Sequence, residues 1–503
     1  MIYKHIEDLL AYGLANKLIE ERDTIWARNA LFEILKLSGE TAKERRAGPV
    51  PSGPSEILAG LSSYAAKNGL LPADVAAYRE IFETAVMAIF TRRPSDISDK
   101  FFTLYKKSPQ KATEWFYNYC QKIYYVKADR AAKNIRWRTD TRFGRVELAI
   151  NLAKPEKDPK EILLAAKINL GENNYPKCLL CRENEGYAGR LDHPARQNLR
   201  IIPLTLGGGQ WDMQYSPYVY YDEHSIVFTQ EHKPMKITGD TFKTLLDFVE
   251  IFPHYFIGSN ADLPIVGGSI LNHEHYQAGR YKFPLESAKS VKSFKVKKCP
   301  GAGFDIIRWP MAVIRVRAAQ KTAAAKACAH IFETWRKYDD KKADILHASK
   351  GIQHSAVTPI ARFKNGKYEV DIVLRNNRTE PAHPHGIFAA RPSRHNIKRE
   401  NIGLIECLGL GILPGRLKSE FTQIAELMQK GCVEKMRDFS SLAPHYDWVK
   451  SFIGEYKNFK PSDGMDILLG EAGLTFAEAL YDCGVFKHDA AGKEAFLRFI
   501  KKL

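Results

Sequence analysis

The stretch Asn260–Gly279, NADLPIVGGSILNHEHYQAG, decides how the rest of the chain is read. Gly267 and Gly268 carry no side chain, so a backbone there can run close to a ligand. A few residues later His273, His275 and Gln277 alternate with Glu274 and Tyr276. In an extended segment successive side chains point to opposite faces, which puts His273, His275 and Gln277 on one face. Two imidazoles and an amide beside a glycine turn form a phosphate-handling surface. The amide can donate to a phosphoryl oxygen, and a neutral imidazole can attack phosphorus. The same His-x-His spacing also suits a surface pair or a satisfied structural pair.

Working outward, 503 residues suggest about three folded units. A hydrophobic content of 45% is enough for sizeable cores, yet no apolar run reaches the roughly 18 residues of a membrane span. The opening MIYKHIEDLL lacks a basic-then-apolar signal pattern, so a cytoplasmic location is the default expectation. Of eight cysteines only Cys178 and Cys181 form a motif, which argues against a disulfide framework. The net charge of +17 suits an anionic substrate as well as nucleic acid. The local run Lys289, Lys292, Lys295, Lys297 and Lys298 is read as a solvated face, because no nucleic-acid-binding motif accompanies it.

Residues 1 to about 140 read as helical, interrupted by a Gly/Pro loop at 44–54. The period changes at Val146, where Val146, Leu148, Ile150 and Leu152 alternate with Glu147, Ala149 and Asn151, predicting a half-buried strand. It ends in the charged, proline-bounded loop that carries Lys154 and Lys157. Cys178-Leu-Leu-Cys181 can supply two thiolates to a tetrahedral zinc, which is half a site. A redox pair or two unrelated buried cysteines are the competing readings, and no thioredoxin-like context favours the former. Arg190, Arg196 and Arg200 are phosphate or sugar candidates, each alone more ordinary as a surface charge. Asp240–Glu250 predicts an amphipathic helix. Strand character follows at 305–318, a helix at 321–337 and a strand at 368–374. A second His-x-His, His383-Pro-His385-Gly, sits in a Pro- and Gly-rich loop, and the last third is helical.

Asn260, Gly267, Gly268, Ser269 and the run HEHYQ resemble the active-site segment of the galactose-1-phosphate uridylyltransferases, in particular their second, mostly bacterial type. The resemblance extends in order through LAINLAKPEKDPKEIL (148–163), YPKCLLCRENEGYAGRLDHPARQN (175–198), QYSPYVYYDEHSIVF (214–228) and IKRENIGLIECLGLGILPGRL (397–417). It implies an α+β fold with two histidine-triad-like units in tandem: a helical N-terminal portion at 1–145, a catalytic half at 146–304, and a second half at 305–503 with C-terminal helices.

The resemblance also implies the activity, exchange of UMP between UDP-glucose and galactose 1-phosphate through a uridylyl-histidine. His275 would be the nucleophile, Gln277 would stabilise phosphoryl oxygens, and Asn260, Gly267, Gly268 and Ser269 would contact the nucleotide. Lys154 and Lys157 stand near the place where the better-known type carries two phosphate-binding arginines, without arginine's bidentate fork. Structural zinc would take Cys178, Cys181, His232 and His273, with His224 the alternative to His232. His385 is the rival nucleophile, although Ile387 stands where that motif would need Gln. The segment Lys398–Glu406 would supply sugar-phosphate contacts. No organic cofactor, nucleic acid or membrane is implied, and a homodimer is. Departures at GGGQW (207–211) and AARPSRH (389–395) leave the accepted hexose open. Two other classes stay open: a histidine-triad hydrolase or phosphorylase, and a non-catalytic anion- or RNA-binding protein.

Overall fold

The structure, a computed structural model, describes residues 2–38, 49–152, 175–268, 270–456 and 460–503. By packing, the chain forms two units, each made of separate segments. The first takes Met1–Ala132, Pro155–Thr205 and Gly209–Lys233, and the second takes Lys133–Lys154, Leu206–Gly208 and Pro234–Leu503.

The first unit opens with helices α1 (Ile2–Ala15), α2 (Thr24–Leu35), α3 (Ser55–Lys67), α4 (Ala76–Ala88), α5 (Pro94–Tyr105) and α6 (Pro109–Lys122). Their apolar residues recur at three and four positions, as in Ile6, Leu9 and Leu10 of α1, all buried. Helix α6 begins at a proline behind Ser108, whose hydroxyl accepts from the amide of Lys111. The helical expectation overran at its end. Residues Ile135–Thr141 form strand β1, which belongs to the second unit and pairs antiparallel with β2 (Gly144–Asn151). A run rich in cations hid its period of two.

Strands β3 (Ile202–Leu206), β4 (Gly209–Tyr215) and β5 (Ser225–Thr229) follow in a meander. Gly207 and Gly208, both at positive φ, make the two-residue turn between β3 and β4. Tyr215 Oη donates to the Thr113 carbonyl at 3.0 Å, tying β4 to α6.

The second unit carries β6 (Phe256–Gly258), β7 (His275–Gly279), β8 (Ser290–Phe294), β9 (Ala302–Ile307), β10 (Val313–Ala318), β11 (Ser355–Lys364) and β12 (Lys367–Asn376). These pair antiparallel in the order β7-β6-β11-β12-β10-β9-β8. The run Asp305–Ala318 is two strands rather than one, because Pro310 lacks an amide to continue a ladder and the chain turns there. A smaller sheet joins β1 and β2 to a parallel strand, β13 (Leu410–Pro414).

Helices α7 (Gly239–Ile251) and α8 (Lys321–Trp335) lie against each other and against these strands. Phe242, Leu245, Leu246, Phe248 and Val249 of α7 are fully buried, each worth about 1.5–3 kcal/mol of apolar burial. Trp335 at the end of α8 donates Nε1 to the carbonyls of Ala356 and Arg375 at 2.9 Å. The opposite polarity appears across β10, β11 and β12. There Arg315 holds both oxygens of Asp371 at 2.6 and 2.9 Å, and Arg362 binds both Asp371 and Glu369, all four side chains being buried.

The element order repeats. Three strands, a helix and two strands (β3–β5, α7, β6–β7) are followed by three strands, a helix and two strands (β8–β10, α8, β11–β12). The fold is therefore α+β with two such modules in tandem, a helical N-terminal portion, and C-terminal helices α9 (Leu417–Gln429), α10 (Gly464–Asp482) and α11 (Ala490–Ile500). Among the described residues no helix is long and apolar enough to cross a membrane.

Candidate active site

The glycine loop is built by the chain closing on itself. Ala261 and Gly267 form an isolated parallel bridge. A Cβ on Gly267 would stand 2.5 Å from the Ala261 carbonyl oxygen and 2.7 Å from that of Leu263. A Cβ on Gly268 would stand 2.6 Å from Asn260 Nδ2. Asn260 itself is buried, and its Oδ1 accepts from the Leu404 amide at 2.8 Å. The segment Lys398–Glu406 is thereby joined to this loop. Within the segment Lys398 is buried against Glu406 at 3.0 Å, and Glu406 also accepts from the Gly403 amide.

The next strand, β7, begins at His275, and His273 lies in the bend before it. The alternation expected from the sequence therefore holds for His275 and Gln277 but does not reach His273. The local reason is a short hydrogen bond: Nδ1 of His275 lies 2.8 Å from the carbonyl oxygen of His273, two residues back, which demands a turned backbone. A carbonyl only accepts, so Nδ1 carries the proton and Nε2 keeps the lone pair. Nε2 has no hydrogen bond to any described residue. Burial pushes the imidazole down to about 4, so the ring is neutral at pH 7. The His275 amide donates to Met235 Sδ at 3.1 Å, fixing the start of the strand. Gln277, half-buried and paired in register with Gly258, shares the strand face of His275. The sequence does not identify the His273 carbonyl as the orienting group, since any residue offers a carbonyl.

In the first unit, Cys178 and Cys181 stand with Sγ atoms 3.5 Å apart, too far for a disulfide. Asn184 clamps the knuckle by donating Nδ2 to the carbonyls of Cys178 and Cys181 at 2.8 and 2.7 Å. Nδ1 of His232 lies 3.1 Å from Cys181 Sγ. The three ligand atoms fall within 4.8 Å of one another. Donors around a tetrahedral zinc are separated by roughly 3.3–3.8 Å, so two thiols and an imidazole at these distances fit that ion. His224 is not part of the group, its Nδ1 lying 3.0 Å from the Tyr218 carbonyl. His273 belongs to the second unit and is fully buried.

Lys154, Lys157 and Ser269 lie outside the described residues. Arg196 and Arg200 are buried and spend donors on backbone carbonyls, Arg200 on Arg92 and Leu199 at 2.6 Å each. Arg190 pairs with Asp192. His385 is exposed in its loop, its ring 5.9 Å from that of His395, and lines a cavity of about 160 Å³ with Arg375 and Arg399.

Comparison with known sequences now adds the family. The family described as galactose-1-phosphate uridyl transferase, N-terminal domain, matches residues 21–234, and its C-terminal domain matches residues 248–449. This chain belongs to the galactose-1-phosphate uridylyltransferase family. The uridylyltransferase of Fusobacterium nucleatum subsp. nucleatum is 45% identical over 99% of this chain and 98% of its own, so the likeness spans both proteins end to end. The galactose-1-phosphate uridylyltransferases of Clostridium acetobutylicum (45% identical) and Bacillus subtilis (44%) each match over 100% of this chain, and over 100% and 98% of their own.

Proposed function

We propose that this member of the galactose-1-phosphate uridylyltransferase family is a nucleotidyltransferase of galactose metabolism that exchanges UMP between UDP-glucose and galactose 1-phosphate, with His275 as nucleophile. The observation that carries the reading is the His275 ring. It is neutral, its Nδ1 proton is committed to the His273 carbonyl, and its Nε2 lone pair is left for phosphorus.

In the first step Nε2 attacks the α-phosphorus of UDP-glucose. The nitrogen–phosphorus bond forms as the bond to the bridging oxygen breaks, and glucose 1-phosphate leaves with that electron pair. In the second, a phosphate oxygen of galactose 1-phosphate attacks the same phosphorus, returns the electron pair to Nε2, and departs as UDP-galactose. This is a ping-pong exchange that splits one displacement into two. Gln277 donates to the phosphoryl oxygens as charge builds on them. Amides of Gly267 and Gly268, together with Ser269, Lys154 and Lys157, serve the same phosphates, and Asn260 holds the loop that presents them.

The zinc site takes Cys178, Cys181, His232 and His273, and its role is structural. The converging donors of the first unit and the buried imidazole of His273 support it. Bound zinc would hold these side chains together and take no part in the transfer. The modules 146–304 and 305–503, the cytoplasmic location, the homodimer and the absence of a nucleic-acid partner complete the proposal.

The test is incubation with UDP-glucose labelled in the α-phosphate, without acceptor, on wild type and His275→Ala. Acid-labile label on wild type alone, discharged by galactose 1-phosphate as UDP-galactose, is the expected result. No label and no UMP release from wild type would overturn the reading. Equal label on both would move the nucleophile to His385, and steady UMP release without sugar phosphate would make the protein a hydrolase.

A further inference from the structure

The second unit holds a cation-lined pocket, none of whose lining residues is given a part in the proposed transfer. Its cavity is about 580 Å³, within the range of roughly 300–1,000 Å³ typical of small-molecule sites. It lies beyond the far end of β7 from His275, where Lys282 and Phe283 follow the strand, on the order of 13 Å along it. The β1–β2 hairpin contributes to its lining, as does buried Trp309, fixed by its Nε1 bond to the Cys407 carbonyl at 2.9 Å.

The charges do not balance. Arg138, Arg142, Arg145, Lys282, Lys289 and Arg308 line the pocket against only Asp140 and Glu147. Both carboxylates are spoken for: Asp140 binds Arg145 through two oxygens, and Glu147 binds Arg138 at 2.9 Å and the hydroxyl of Tyr281. Arg142 pairs outside the lining with Glu478 and covers the Phe143 ring. Three cations remain uncancelled. The ammonium groups of Lys282 and Lys289 have no hydrogen bond or ion pair among the described residues, and the guanidinium of Arg308 donates only to the neutral carbonyl of Arg142; the Arg308 amide donates to the Lys289 carbonyl at 2.8 Å, which holds these two residues side by side. Holding like charges around one concavity is unfavourable until an anion enters it.

We propose that this pocket binds a small molecule carrying two or more linked phosphates. A single phosphate ester brings about −1.5 to −2 at neutral pH, less than the three free cations call for, whereas an oligophosphate matches them. The volume of about 580 Å³ favours a small ligand over a polymer. The five exposed lysines from Lys289 to Lys298 add attraction at longer range, Lys289 standing at both the pocket and the start of that run.

Inorganic tripolyphosphate is the probe, titrated calorimetrically into the full-length chain at about 0.15 M salt. Three proteins are compared: wild type, His275→Ala, and the triple variant Lys282→Ala/Lys289→Ala/Arg308→Ala, each first shown to keep the wild-type melting temperature. If the triple variant melts early, the single change Lys289→Glu replaces it. Expected are saturable one-site binding to wild type and His275→Ala, and a loss of about tenfold or more in the pocket variant. The proposal fails if wild type shows no saturable binding, or if the pocket variant binds as well as wild type. It fails equally if a single-stranded RNA oligomer binds more tightly than tripolyphosphate and is released by Lys292→Ala/Lys295→Ala/Lys297→Ala rather than by the pocket variant.

Discussion

Gly267 has no room for a side chain, and the atoms that deny it room are backbone. With a Cβ 2.5 Å from one carbonyl oxygen and 2.7 Å from another, Gly267→Ala must push the 260–263 loop away. A loss of about 1–3 kcal/mol is expected, read as a lower denaturation midpoint with an unchanged slope. The sequence reading reserves this position for the close approach of a ligand, whereas the atoms that meet a Cβ here are the chain's own carbonyl oxygens. Sequence alone cannot say whether a ligand or the chain itself occupies the space, since both impose the same requirement. His275 is a similar case. Its residue type and its strand partner Gln277 were legible, whereas its tautomer depends on a backbone carbonyl that a side-chain alphabet does not encode.

Among elements, Tyr368, Val370, Ile372 and Leu374 alternate with Glu369 and Asp371, which marks β12 as a strand but does not say what the two carboxylates meet. Both are buried, because β10 and β11 bring Arg315 and Arg362 against them from 56 and 9 positions away in the chain. Such pairings are non-local, and periodicity within one strand carries no trace of them. Asp371→Ala takes a shared carboxylate from two buried guanidinium groups and leaves them Glu369 as their buried counter-charge, and about 3–5 kcal/mol of stability should be lost in chemical denaturation. The exposed Asp240–Lys243 pair serves as control, since its removal should cost no more than about 1 kcal/mol. The Cys178–Cys181 knuckle makes a separate prediction. Elemental analysis should find about one zinc per chain, Cys178→Ser should lose most of it, and a chelator should lower the melting temperature of wild type but hardly that of the variant. The C-x-x-C half of this group was legible from spacing. His232, 51 positions on, came from family likeness alone.

For the molecule as a whole, light scattering coupled to size exclusion should give about twice the 57.1 kDa of one chain if the homodimer forms. A monomer at micromolar concentration would remove that part of the proposal. The repeat of three strands, a helix and two strands was legible only through the family, because the two modules share no obvious sequence motif beyond their His-x-His pairs. Their seam has a consequence in time. Strand β6 gains one neighbour, β7, almost as soon as it is made. Its other neighbour, β11, lies about a hundred residues further on, a delay of roughly 5–20 s at ordinary rates of synthesis. For that interval a nascent chain displays an open, apolar β edge to the crowded cell, so the moment of greatest danger for this protein comes in mid-translation, when one module waits for the other.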